Sequence, residues 1–310
     1  MQRVQKKADA LAWYLYASAP LPSWFFMLLF FVRLLAVLPL SWLHAIGRLL
    51  GTALYLCPGR YRRRLRAHAR QAGYTDDAFG RRAAAESGAM ILEIPKVWWR
   101  TGYCLARTHS DQDAVVRDAI AEGRGVIYLT PHLGCFEITA RHLTQHGPLT
   151  VMFRPSRSPL LDPIIESARD MHNLRAVPAN RNGVREFVRA LKRGEAVGML
   201  PDQVPREGDG VWVPFFGRPA LTMTLAARLA LQTGAAVILM AGERLPGGRG
   251  WRMHFARMPE PLPTESDALA AAINQEMESL IRRFPEQYLW SYNRYKEPDD
   301  APPPPDASAS

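Results

Sequence analysis

The spacing of hydrophobic positions changes several times along the chain, and each change marks an element. Leu21–Leu40 reads LPSWFFMLLFFVRLLAVLPL, apolar on every side except at Arg33. As a single helix its 20 residues rise about 30 Å, the thickness of a bilayer's hydrocarbon core. Arg33 costs such a span roughly 3 kcal/mol, part of which snorkelling relieves. The same pattern also suits a hydrophobic helix inside a protein core. No A-x-A-type cleavage site follows, so the segment does not read as a removed signal peptide. Helical spacing resumes over Trp42–Leu56 with Arg48 on one side, which suits a helix lying in the membrane interface. Residues 77–122 then read as helical, with few turn signals.

From Gly125 onward the pattern alternates. Short apolar runs at 125–130 (GVIYLT), 149–153 (LTVMF), 176–179 (AVPA) and 196–201 (AVGMLP) predict strands. Helix-spaced stretches at 135–146, 158–173 and 182–194 lie between them. A helix is predicted over 219–234, stopped by Gly234. Strands at 235–245 and 251–258 pair around the turn PGGRG, and a last helix covers Ser266–Phe284. Strands alternating with helices predict an α/β fold, a mostly parallel central sheet with helices on both faces, preceded by an N-terminal membrane-anchoring helix. The division is an anchor and interfacial helix over 1–58, an α/β domain over 59–296, and a proline-rich tail over 297–310 (EPDDAPPPPDASAS), expected to be disordered.

Charge sharpens the reading of the N-terminal part. The net charge is +10, and residues 1–75 hold eleven Lys/Arg against one Asp, which accounts for all of it. Arg60, Arg62, Arg63, Arg64, Arg66 and Arg70 follow directly on the apolar stretches. Basic residues beside an apolar segment point to an anionic membrane surface rather than nucleic acid, and place the rest of the chain on the cytoplasmic side. Cys57, Cys104 and Cys135 are three, widely spaced and without a C-x-x-C, which fits a reducing compartment and excludes a disulfide framework. His142 and His146 have a zinc-compatible spacing, but no third ligand accompanies them in sequence, so no metal is expected. No G-x-S-x-G or G-x-G-x-x-G occurs, so neither a serine-hydrolase elbow nor a dinucleotide site is supported.

The stretch TPHLGCFE, residues 130–137, carries the candidate chemistry. It links a predicted strand to a helix, at the strand end where ligands bind in open α/β sheets. Pro131 and Gly134 break regularity, leaving His132 in the loop and Glu137 in the first helical turn, able to fold back toward it. An imidazole titrates near neutrality and can take a proton from a weak nucleophile such as a hydroxyl. A carboxylate on its other nitrogen fixes the tautomer. The alternative is a loop histidine and an exposed glutamate favoured by the helix dipole. Cys135 invites a nucleophile reading, but a packing role is preferred because direct transfer needs no covalent intermediate.

These residues resemble the late acyltransferases of lipid A biosynthesis, the lauroyl/myristoyl transferases, over about residues 23–296. The resemblance rests on PHLGCFE, on MFRPSRSP (152–159), on LPDQVPREGDGVWVPFFGRPALT (200–222) and on PEQYLWSYNRYK (285–296). It implies His132 and Glu137 as a catalytic pair, with His132 as base and Glu137 as its orienting partner. It implies acyl carrier protein as thioester donor, a lipid A precursor as hydroxyl acceptor, no cofactor, and a place at the cytoplasmic face of a bacterial inner membrane. Another membrane glycolipid or an amino-acid lipid as acceptor, or a membrane-docked lipid-binding protein without catalysis, are the competing readings. Arg154 can bind a lipid phosphate, stabilise a developing oxyanion, or form a structural ion pair. Asp202 and Gln203 either brace the site, bind polar groups of the acceptor, or form a turn. Phe215 and Phe216, beside Gly217, suit an acyl channel or ordinary core packing, and Arg294 is a phosphate-contact candidate. Cys135 and Tyr292 depart from residues common in the family and bear on acceptor and chain length.

Overall fold

The computed structural model describes residues 23–153, 171–205, 210–299, 301 and 303–304. The first helix, α1 (Ser23–Leu35), is followed by α2 (Leu40–Leu56), and the two are bent by 115°. The single span expected over Leu21–Leu40 therefore does not form. Pro39 has no N–H to continue a helix and disfavours helical backbone at Leu38, so the chain turns there. The 13 residues of α1 rise about 20 Å, short of a hydrocarbon core. Among the described residues no single helix is long and apolar enough to cross a membrane, whereas this bent pair passes that test together.

α2 packs on the long helix α4 (Asp77–Trp99), with α3 (Arg60–Gln71) between them in sequence. The contact is made by small residues. A Cβ at Gly47 would lie 2.6 Å from the Gly88 carbonyl oxygen, and one at Gly88 would lie 2.0 Å from that of Gly47. Only glycine lets the two backbones approach so closely. The other face of α2 stays exposed at Trp42, Ile46, Leu49, Leu50 and Leu54, and α1 exposes Met27, Phe30, Phe31 and Leu34.

The helix expected over 77–122 is broken into α4, α5 (Thr101–Leu105), the short strand β1 (Thr108–His109) and α6 (Asp113–Ala121). Long-range pairing overrides local propensity here, since Thr108 and His109 pair in parallel with Trp251 and Arg252. The remaining elements are β2 (Val126–Leu129), α7 (Phe136–Leu143), β3 (Leu149–Phe153), β4 (Leu174–Pro178), α8 (Arg181–Lys192), β5 (Ala196–Met199), β6 (Gly210–Phe215), β7 (Arg218–Met223), α9 (Leu225–Thr233), β8 (Ala236–Arg244), β9 (Trp251–Arg257) and α10 (Ser266–Ile281). Of the helix expected over 158–173, residues 158–170 lie outside the described residues, as does most of the tail beyond Asp299.

Seven strands form one sheet in the order β1-β9-β8-β2-β5-β3-β4, parallel except between β8 and β9. Alternate residues of the central strand β2 enter two separate cores, as the strand period of two requires. Ile127 and Leu129 join residues of α8, α9 and α10, while Val126 and Tyr128 join residues of α6 and α7. Both faces are thus covered by helices.

A further predicted helix is corrected. Residues 218–223 are a strand, paired antiparallel with β6, and helix begins only at Leu225. Phe216 and Gly217 form the turn with φ of 48° and 71°. The buried amide of Asn274 on α10 donates to Pro214 O and Thr222 Oγ1, pinning this hairpin down.

Candidate active site

The loop after β2 is held from two sides. Gly134 has φ of 60°, and a Cβ there would lie 2.1 Å from the Gly242 carbonyl oxygen on β8. Both backbone sign and space therefore demand glycine. Cys135 N–H donates to Gly242 O at 2.7 Å. From the C-terminal segment, Leu289 N–H donates to His132 O and Gln287 O accepts from Gly134 N–H, each at 3.0 Å. The Gln287 amide also pairs with the backbone of Arg244, accepting from its N–H at 2.8 Å and donating to its O at 3.0 Å. The motifs PHLGCFE and PEQYLW thus fold against each other.

His132 is oriented by Asp202, at the end of β5. Its Nδ1 lies 2.8 Å from Asp202 Oδ1, and its backbone N–H donates to Oδ2, also at 2.8 Å. Asp202 is almost wholly buried. Burial alone raises its pKa, but the His132 ring and backbone donors, aided by the charge of Arg294, outweigh that and hold the carboxyl below its ordinary value. An ionised carboxylate accepts only, so Nδ1 carries the proton and Nε2 presents its lone pair. Gln203 Nε2 lies 3.2 Å from that Nε2.

Glu137 stands elsewhere in the site. It lies in the first turn of α7, where its Oε2 accepts from Trp98 Nε1–H and from Arg141, both at 2.9 Å. The position expected for Glu137, on the second nitrogen of His132, is taken by Asp202. The physical reason is that Glu137 starts a helix whose next turn supplies Arg141 four residues on, a nearer partner for its charge.

His132, Glu137 and Gln203 line one cavity of about 1100 Å³. Its wall combines apolar side chains, such as Phe136, Met152, Phe153 and Met240, with Arg141, Arg181, Arg185 and Arg228. Phe215 and Phe216 are not on this wall. They are buried in the core beside Tyr288 and Trp290, as is Arg294, whose guanidinium donates to Leu221 O and Thr222 Oγ1 at 2.6 Å. Gly217 serves the β6–β7 turn. Arg154 lies outside the described residues.

Cys135 is buried, and burial pushes its thiol well above the ordinary value. Such a thiol is a poor nucleophile. Cys135→Ala is expected to keep substantial activity, and peptide mass spectrometry during turnover should find no acyl adduct on Cys135. A stable adduct there would overturn direct transfer.

Behind the loop lies a charged network that the sequence did not reveal. Arg244 is fully buried and donates to both oxygens of the equally buried Glu93, at 2.6 and 3.1 Å, and to Glu86 at 2.6 Å. His44 and the Trp251 indole complete the shell of Glu93 at 2.9 and 3.1 Å. Burial by itself raises the Glu93 pKa, but Arg244 and His44 reverse this and bring it to about 2. Arg244 also donates to the Gly134 carbonyl, so the network reaches the back of the His132 loop.

The chain is 31% identical to the lipid A biosynthesis lauroyltransferase of Escherichia coli K12 over 69% of its own length and 71% of that protein. It is 30% identical to the lipid A biosynthesis palmitoleoyltransferase of the same strain, over 58% of the chain and 59% of that relative. For the lipid A biosynthesis myristoyltransferase of that strain the identity is 24%, over 57% and 55%. Residues 17–297 match the family model described as bacterial lipid A biosynthesis acyltransferase, and the chain belongs to that family.

Proposed function

We propose that the protein transfers a fatty acyl chain from the thioester of acyl carrier protein to a hydroxyl of a lipid A precursor. The observation that carries this reading is His132, on the wall of a large cavity, with its ring fixed by a buried carboxylate. His132 Nε2 takes the proton of the acceptor hydroxyl, displacing Gln203. The alkoxide attacks the thioester carbonyl, and the thiol leaves with a proton returned through His132. Asp202 keeps the tautomer and stabilises the imidazolium that forms. Glu137, held by Trp98 and Arg141, faces the same cavity and completes the pair with His132 by binding the acceptor's polar groups. Arg154 or backbone N–H groups near the loop stabilise the oxyanion. No cofactor enters the chemistry.

Arg181 and Arg185 suit the phosphates of an anionic lipid headgroup, and the apolar wall suits an acyl chain. The bent pair α1–α2 docks the protein on the inner membrane, with the arginines of α3 against anionic lipid on the cytoplasmic side. The relatives' names differ in the acyl group transferred, so chain length does not carry over.

The test uses full-length protein in detergent with acyl carrier protein thioesters of several chain lengths and an underacylated lipid A precursor. Mass spectrometry of the lipid should show one added acyl chain, with free acyl carrier protein as co-product. Acylation of a different glycolipid or of an amino-acid lipid, with the lipid A precursor untouched, would name a different acceptor. Binding of lipid without any transfer would reduce the protein to a carrier.

A further inference from the structure

His142 and His146 had no third ligand in the sequence, but the fold supplies one. Asp113, in the first turn of α6, meets His142 near the end of α7, and the His142 and His146 rings stand 5.5 Å apart. One ligand atom from each of the three side chains lies within 4.8 Å of the other two. None of the three lines the cavity of His132. We propose that Asp113, His142 and His146 form a binding site for a divalent transition-metal ion of the zinc class.

The spacing of one ligand pair matches such an ion. Ligand atoms at about 2.0–2.1 Å around a tetrahedral centre stand roughly 3.3 Å from each other. His142 Nε2 and Asp113 Oδ1 are 3.2 Å apart. The two side chains hydrogen-bond at this spacing, and an ion between them would replace that bond. The turn after α7 delivers the third group: Gln145 N–H donates to His142 O and His146 N–H to Leu143 O, which winds His146 back toward His142. Two imidazoles and one carboxylate suit zinc, whereas magnesium and calcium prefer oxygen alone. Three protein ligands leave the fourth position to water.

Gln145 Nε2 lies 3.5 Å from His142 Nδ1 and donates to His142 O at 3.4 Å. His142 itself is buried and packs near Phe255 of β9, so its ring is held in place before any ion arrives. A bound ion would tie α7, which carries Glu137 and Arg141, to α6.

Untagged full-length protein in detergent, freed of metal by a chelator, would be titrated with zinc chloride alone by calorimetry. Cobalt(II) serves as a spectroscopic probe. The expected result is one zinc ion per chain, a higher thermal midpoint, and the visible absorption of tetrahedral cobalt. His146→Ala and Asp113→Asn, with folding checked by circular dichroism, should each weaken zinc at least about tenfold, the least that loss of even an outer-shell partner costs. Both should lose the cobalt bands and the thermal shift. His146→Gln provides a milder change if His146→Ala proves unstable. Absence of zinc binding, or binding that these variants leave unchanged, overturns the proposal.

Discussion

Asp202→Asn should fold normally and lose at least about a hundredfold in turnover, a loss of the size that a positioned general base supplies. Asn keeps the shape of Asp202 but has one acceptor and one donor group. With its oxygen on the His132 N–H, its NH2 faces the ring and forces the proton onto Nε2, where the lone pair is needed. His132→Ala should be as severe, and the double variant barely worse than either, because the two residues act as a unit. Glu137→Gln is the informative control. It preserves contacts to Trp98 and Arg141 in part and leaves the His132 tautomer alone. A mild Asp202→Asn beside a crippled Glu137→Gln would return the bracing role to Glu137 and sink the assignment made from the hydrogen bonds. Steady-state rates with acyl carrier protein thioester, on protein shown to be folded, decide between these outcomes.

The second large effect falls on stability. Arg244→Met should cost about 3–5 kcal/mol, since it strands Glu93 in the core without its counter-charge. Changing both, Glu93→Leu with Arg244→Met, should cost less than the single change, because no unpaired charge is left behind. Thermal denaturation of the three proteins in the same detergent measures this, and a double variant worse than Arg244→Met would refute it. The pH dependence has a definite sign. The folded carboxyl of Glu93 titrates at about 2 against an ordinary 4.5. Its contribution is complete above about 4.5 and is lost as pH falls toward about 2.

The strands around the site are legible in the sequence because each is a short β-branched run between turn residues. The predicted strand at 149–153 matches β3 to the residue, and those predicted over 125–130 and 235–245 lie within one position of β2 and β8 at each end. The hairpin of β6 and β7 is not legible, since 219–223 runs on into a real helix and its partner carries Trp212 and Pro214 without a clean alternation. Only pairing across the turn at Phe216 makes it a strand. The loop position of His132 can be read from Pro131 and Gly134. Its partner cannot, because Asp202 lies 70 residues away and Glu137 offers a nearer carboxylate. Arg141 is readable four residues beyond Glu137, and Glu93 is not, being one charged position in a helix whose depth only the tertiary packing sets.

The clamp from Gln287 and Leu289 onto the His132 loop has a consequence for biogenesis. β2 carries that loop, yet its neighbours β5 and β8 and the clamp itself all come later in the chain. During synthesis, at roughly 5–20 residues per second, the apolar helices α1 and α2 emerge first and can reach a bilayer while the sheet is still missing its centre. The reactive imidazole acquires its carboxylate only after residue 202 and its backbone supports only after residue 289. Under the proposed function, a nascent or prematurely ended chain would therefore be chemically silent, and a thioester donor would meet a competent base only once translation is nearly finished.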